Sequence, residues 1–309
     1  MRRFIKRFFI FLLPILVVCI SLEALVRYVP NTYKYKYNWM QENAEDVETL
    51  VLGNSHAFYA IRADLLSGLS FNLTNPAQRL ENDLFLLKYW GDKYKNLKTV
   101  ICTISYFSWF SPGLEKIAPD YCRYYNLYMD CDLYNDFSIV NNFEISNPKH
   151  ALLKVRAYIL NQHASDGTCD EFGCANGNVL SKKDMVEWNK GDYNRKIIAR
   201  HTIAGREYLE KNYSYMKEIA EFCKKRNIRL VLVTTPTWKN YYNNLDKKQL
   251  EEMYEITHKF QKEYDVSYFD YLKDSRFDAD DFFNESHMSN IGAIKFTKIL
   301  NEDINSCLH

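Results

Sequence analysis

Three short apolar runs limit the fold more than anything else in this chain: Val47–Leu52, Thr99–Ser105 ("TVICTIS") and Ile228–Thr234 ("IRLVLVT"). Each has strand length and lacks the polar alternation of a half-solvated strand, so each is expected to be buried on both faces in a parallel sheet. Ser70–Thr74 and Val266–Phe269 read as two shorter strands. Between them lie helical patterns. Leu80–Lys95 is one, and Ile203–Arg226 places Leu209, Tyr213, Met216, Ala220 and Cys223 on one face. Lys247–Tyr264 does the same with Leu250, Met253, Ile256 and Phe260, and Ile291–Ile304 closes the chain. Strands alternating with helices predict an α/β fold, a three-layer sandwich around a central parallel sheet. From Tyr106 to His201 periodicity fails except at Pro148–Asn161, whose proline suits a first helical turn, so residues 106–201 read as an insert.

The N-terminus predicts a membrane helix. Arg2, Arg3, Lys6 and Arg7 precede an apolar run from Phe8 to Val26, broken by Ser21 and Glu23. Nineteen residues make about 28 Å of helix, near one bilayer crossing. The basic flank belongs on the cytoplasmic side and the remainder outside. A cleaved signal peptide is the rival, but Ser21 and Ala24 lack small partners at a cleavage spacing, and Val18 is too bulky for lipoprotein processing at Cys19. The expected organisation is an anchor over residues 1–28, an interfacial stalk over 29–46 ("PNTYKYKYNWMQENAE" within it), and an α/β domain over 47–309.

A net charge of +1 gives no field for nucleic acid, and the many aromatics read as core material rather than a sugar groove. Cys169 and Cys174, and Cys122 and Cys131, lie in loop-like sequence where an oxidising compartment would favour disulfides, while Cys102 and Cys223 read as core thiols. His163, Cys169 and Cys174 could also form a metal set, but no metal and no cofactor are expected.

Two stretches carry chemistry. "LGNSH" (Leu52–His56) puts a hydroxyl and an imidazole at the carboxyl end of a central strand, where ligands of such sheets sit. A turn and a helix cap would use the same residues. "NESHMSNIGAIKFT" places His287 before the closing helix in a loop also holding Asp278, Asp280, Asp281 and Glu285, which suits a base for a serine nucleophile. Together these stretches resemble the SGNH (GDSL-like) hydrolase superfamily, with Ser55 at the nucleophile of the first block and His287 at the histidine of the last, 232 residues later. The likeness is to the membrane-anchored bacterial branch associated with alginate O-acetylation and D-alanyl transfer to teichoic acids. "LEALVRYVPNTYKYK" and "SFNLTNPAQRLENDLFLLKYW" are similar to it as well; the likeness covers Leu22 to Ser105 and Arg229 onward.

The resemblance implies a flavodoxin-like SGNH sheet and an acyl-enzyme on Ser55. It also implies an oxyanion site from backbone N–H groups of Ser55 and Ala77, with Gln78, Asn54 or Ser105 assisting. The sequence departs from the pattern at Asn284, which stands where the family carries Asp; Asp281 and Glu285 are the substitute acids. Ala77 stands near the second-block glycine, and the third-block Asn is missing. The implied function is an extracytoplasmic serine esterase or O-acyltransferase acting on a surface polysaccharide. It would work beside a membrane-bound O-acyltransferase in the bacterial cytoplasmic membrane. The alternative is a non-catalytic binding or assembly protein on the same scaffold.

Overall fold

In a computed structural model of the chain, the described residues are 1–134, 139–161, 169–176 and 192–306. His163 and Cys307 lie outside them. The chain divides into two compact units, Met1–Tyr37 with Ala118–Thr168, and Asn38–Ile117 with Cys169–His309.

The larger unit is built on five parallel strands: β1 (Thr49–Leu52), β2 (Ser70–Asn72), β3 (Thr99–Thr103), β4 (Arg229–Thr234) and β5 (Ser267–Asp270), in the order β2-β1-β3-β4-β5. That is the doubly wound order whose ligand crevice opens where β1 meets β3. Because alternate residues of a strand face opposite ways, Val51, Ile101, Val231 and Val233 pack with Phe296, Leu300 and Ile304 of the Asn290–Ser306 helix. Leu50, Val100, Cys102 and Leu232 are equally buried and point to the other face. The Leu80–Tyr89 and Leu209–Lys225 helices, which pack on each other, cover that face; Cys102 lies within electrostatic reach of Asp83 and Cys223 on them. The expected α/β fold with a five-stranded parallel sheet flanked by helices is therefore present. The edge strand β2 is covered by the 169–176 segment, where the Asn72 N–H donates to the Phe172 carbonyl at 2.9 Å. An antiparallel hairpin outside the main sheet, β6 (Phe282–Asn284) and β7 (His287–Met288), precedes the closing helix.

In the smaller unit, the Arg2–Tyr28 helix is long and apolar enough to cross a membrane. The Pro119–Tyr128, Ile139–Asn142 and Pro148–Asn161 helices belong to the same unit.

Residues 29–46, expected as an interfacial stalk, are mostly helix, Thr32–Asn43, with Tyr33, Lys36 and Met40 buried. One expectation needs correction. Among the described residues, neither Cys122 with Cys131 nor Cys169 with Cys174 is joined in a disulfide. Cys169 pairs across its short bridge with Ala175, so Cys174, one residue earlier, turns to the opposite face. There its sulfur accepts the Ala63 N–H at 3.1 Å.

Candidate active site

The carboxyl end of β1 is shaped by close packing. Gly53 has φ +133°, and a Cβ there would lie 1.9 Å from Thr103 Oγ1 on β3, so only glycine fits. Its N–H donates to the buried Asp83 carboxylate at 2.9 Å. Asn54 then caps the Ser55–Ala60 helix: its Oδ1 accepts the His56 N–H at 2.9 Å and its Nδ2 donates to Ser105 Oγ at 3.0 Å. The cap is thus Asn54, which leaves the Ser55 hydroxyl for other partners.

The opposite side comes from the hairpin. Ser289 donates its N–H to the Asp281 carbonyl at 2.8 Å, and Gly292 passes so close to that carbonyl that a Cβ would sit 2.0 Å from it. This contact fixes the closing helix against the hairpin and sets the reach of His287. The result is a hydrogen bond of 2.8 Å between His287 Nε2 and Ser55 Oγ. Phe283 stacks on the imidazole with its centroid 5.5 Å away, and the Tyr59 ring lies at 4.9 Å.

The other imidazole nitrogen decides what the pair can do. Asn284 Oδ1 accepts the backbone N–H groups of Ser286 and His287, each at 3.0 Å. With its oxygen committed there, the amide presents Nδ2 to His287 Nδ1 at 3.1 Å. The amide orientation follows from this network, since a flipped amide would set an NH2 against two N–H donors. An NH2 facing Nδ1 makes that nitrogen the acceptor, so the neutral ring carries its proton on Nε2 and donates it to Ser55. Burial first, then His56 and Arg200, hold the His287 pKa well below its usual value, so the ring is neutral. In this tautomer the serine hydroxyl accepts a hydrogen bond from Nε2–H and finds no lone pair there to take its own proton.

The remaining candidates separate. Asp281 is occupied by Lys295 Nζ at 2.7 Å and by the Asp278 N–H at 3.0 Å. Glu285 is fully buried, neither carboxylate oxygen has a hydrogen-bond partner among the described residues, and burial pushes its pKa up to about 7. No contact joins either acid to His287 among the described hydrogen bonds, whereas Asn284 touches it. Ala77 adopts φ +62°, the left-handed region that favours glycine, at the position expected to carry one. The Gln78 amide donates to Asp83 Oδ1 at 2.7 Å and to the Leu73 carbonyl at 3.3 Å, and the side chain lines a small cleft beside Gly53 and Asn54. Ser105 Oγ contacts Asn54 and His56 Nδ1 (3.1 Å), which makes it a support for the turn. His56 is buried, and burial with Arg79 lowers its pKa to about 4.

Sequence reasoning missed His201, whose ring centroid is 5.8 Å from that of His56 and whose Nδ1 meets the Tyr241 hydroxyl at 2.7 Å. It missed Asp83 too, although an acid among Leu80, Leu84 and Leu87 on an inward helical face is a readable signal. Asp64, Asp170 and Cys174 bring metal-type ligand atoms together, but Arg62 bridges the two acids at 3.0 and 2.7 Å and supplies the opposing charge.

No protein-family model matches the chain, and no curated protein does either. Among solved structures, a Bacteroides fragilis NCTC 9343 protein described as a "putative acylhydrolase" is similar at 11% identity and a TM-score of 0.43, over 88% of this chain and 96% of that one.

Proposed function

We propose that the chain is a membrane-tethered, extracytoplasmic acyl-ester enzyme of SGNH type, a hydrolase or O-acyltransferase that works through an acyl-enzyme on Ser55. The observation that carries this reading is the 2.8 Å contact between Ser55 Oγ and His287 Nε2 at the crevice end of a 2-1-3-4-5 sheet. In the forward step the imidazole first moves its proton to Nδ1; Ser55 Oγ then bonds to the ester carbonyl carbon, its proton passes to the freed His287 Nε2, and His287 returns it to the departing alkoxide. Water or a sugar hydroxyl then takes the acyl group. The sequence resemblance suggests a surface polysaccharide as the acceptor, and the Arg2–Tyr28 helix suits a protein working beside a membrane acyl donor.

A second reading has its own support. Asn284 favours the tautomer that cannot accept the serine proton, which suits a binding or assembly protein on this scaffold. Fluorophosphonate labelling of the full chain separates the two. Labelling lost in Ser55→Ala supports the enzyme; a folded wild type that never labels supports the scaffold.

A further inference from the structure

One helix of the smaller unit turns apolar side chains outward. In the Pro148–Asn161 helix the inward positions include Ala151 and Lys154, while Leu152, Leu153, Ile159 and Leu160 are 51–67% exposed. With Arg156, also exposed, these outward residues fall at spacings of one, four, seven and eight, a single helical stripe. One charge of the helix, Lys154, is turned in. Lys154 Nζ meets the Tyr124 hydroxyl at 2.7 Å and lies 3.7 Å from Glu144, and Glu144 also faces buried Arg123 at 3.4 Å and Tyr128 at 2.8 Å. Next to this helix, Ile139, Val140 and Phe143 are exposed as well.

This unit is joined to the end of the apolar N-terminal helix. Glu23, the acid that interrupts the apolar run, accepts the N–H groups of Glu144 and Ile145 at 3.2 and 3.0 Å. Arg27 donates to the Asn142 carbonyl at 3.1 Å, and Tyr28 packs edge-on against Tyr158 with centroids 6.3 Å apart. So the exposed apolar face begins where the spanning helix ends.

We infer that the outward face of the Pro148–Asn161 helix, with Ile139, Val140 and Phe143, is embedded in the headgroup–acyl boundary of a lipid bilayer. The inference rests on the reading of the Arg2–Tyr28 helix as a retained anchor. Fourteen residues make about 21 Å of helix, too short to cross a hydrocarbon core of about 30 Å, so the helix lies in the surface rather than spanning it. The exposed charges of the helix are Lys149 and Arg156, and it carries no acid, which suits anionic headgroups; Arg156, within the apolar stripe, reaches up to the phosphates by its flexible stem.

The test uses the full chain in vesicles of phosphatidylglycerol and phosphatidylcholine whose acyl chains are brominated near the carbonyl. Tryptophan is introduced singly as Leu153→Trp, Ile159→Trp, Leu12→Trp in the anchor, and Asp92→Trp on the larger unit, and the added fluorescence is measured. All four sites are exposed, so the fold should tolerate each. Loss of the added signal at 153, 159 and 12 but not at 92 supports the inference. Loss at 12 with full signal at 153 and 159 overturns it and leaves the anchor standing, with a protein covering the face instead. Full signal at 12 rejects the anchor and the inference together.

Discussion

Asn284→Asp is the change on which the chemistry of this site turns. The substitution is nearly isosteric. One carboxylate oxygen would keep the Ser286 and His287 N–H groups that Asn284 Oδ1 now accepts at 3.0 Å each. The other would replace the NH2 that stands 3.1 Å from His287 Nδ1. The imidazole would then carry its proton on Nδ1 and present the Nε2 lone pair to Ser55 Oγ. The carboxylate would also stabilise the imidazolium formed as the serine proton transfers. At a separation of about 4 Å and an effective dielectric of about 20, that attraction is worth about 4 kcal/mol. At about 1.36 kcal/mol per decade this is roughly a 10³-fold rate gain. The reverse change in a serine protease costs about 10⁴ in turnover, through the same tautomer effect.

The expected outcome is therefore a gain of about three orders of magnitude in the rate of fluorophosphonate labelling or phenyl acetate hydrolysis. The pH profile should change with it. In the wild type, burial with His56 and Arg200 keeps the His287 pKa low, so the ring is neutral and the rate is flat through neutral pH. In the variant the carboxylate raises that pKa, and the rate should fall as pH drops through the new, higher value. A folded Asn284→Asp protein that labels no faster than wild type would refute the tautomer argument.

Three further outcomes follow from the same geometry. Ser55→Ala and His287→Ala should each abolish labelling of Asn284→Asp protein, with the double change no worse than either, because nucleophile and base act as one unit. Gly53→Ala should destabilise the larger unit by about 3 kcal/mol or more, from positive-φ strain and overpacking, read as a shifted denaturant midpoint; the added Cβ would fall 1.9 Å from Thr103 Oγ1. Burial raises the Asp83 pKa to about 7, so the folded state holds a proton that the unfolded chain releases near pH 4. Stability should fall as pH rises from about 4 to about 7, by roughly 4 kcal/mol from this group, and Asp83→Asn, which keeps an acceptor for Gly53 and Gln78, should flatten that slope in pH-dependent urea unfolding.

The sheet was legible because its strands depend on local pattern alone. Thr99–Thr103 and Arg229–Thr234 are buried on both faces, and a run such as "RLVLV" records that directly. Helices with one apolar stripe were equally plain, Lys247–Tyr264 to the residue. The pairing of Ser55 with His287 was accessible only through the two quoted stretches, since 232 residues separate them and no periodicity reports that contact. The hairpin that delivers His287 was read as a loop, because strands of three and two residues leave no repeating signal. In the smaller unit the Pro148–Asn161 helix is legible but its inward face is not. The unit's buried Arg123, Glu144 and Lys154 and its outward leucines invert the rule that apolar residues lie inside, so the usual pattern assigns the wrong face.

Asn284 also explains why fold and chemistry can part company at this site. Shape in the Asn284–His287 turn depends on one oxygen that accepts two backbone N–H groups, and Asn supplies that oxygen as well as Asp would. Chemistry depends on the other atom, which faces Nδ1 and differs between an NH2 and a carboxylate oxygen. The hairpin, the closing helix and the 2.8 Å contact with Ser55 therefore persist whichever residue is present, and geometry alone looks equally competent in both cases. What changes is the direction of the proton in that contact, from Nε2 toward Ser55 with Asn, and from Ser55 toward Nε2 with Asp. A competent proton acceptor and an incompetent one differ here by one donor–acceptor exchange, so a labelling rate distinguishes them where a superposition does not.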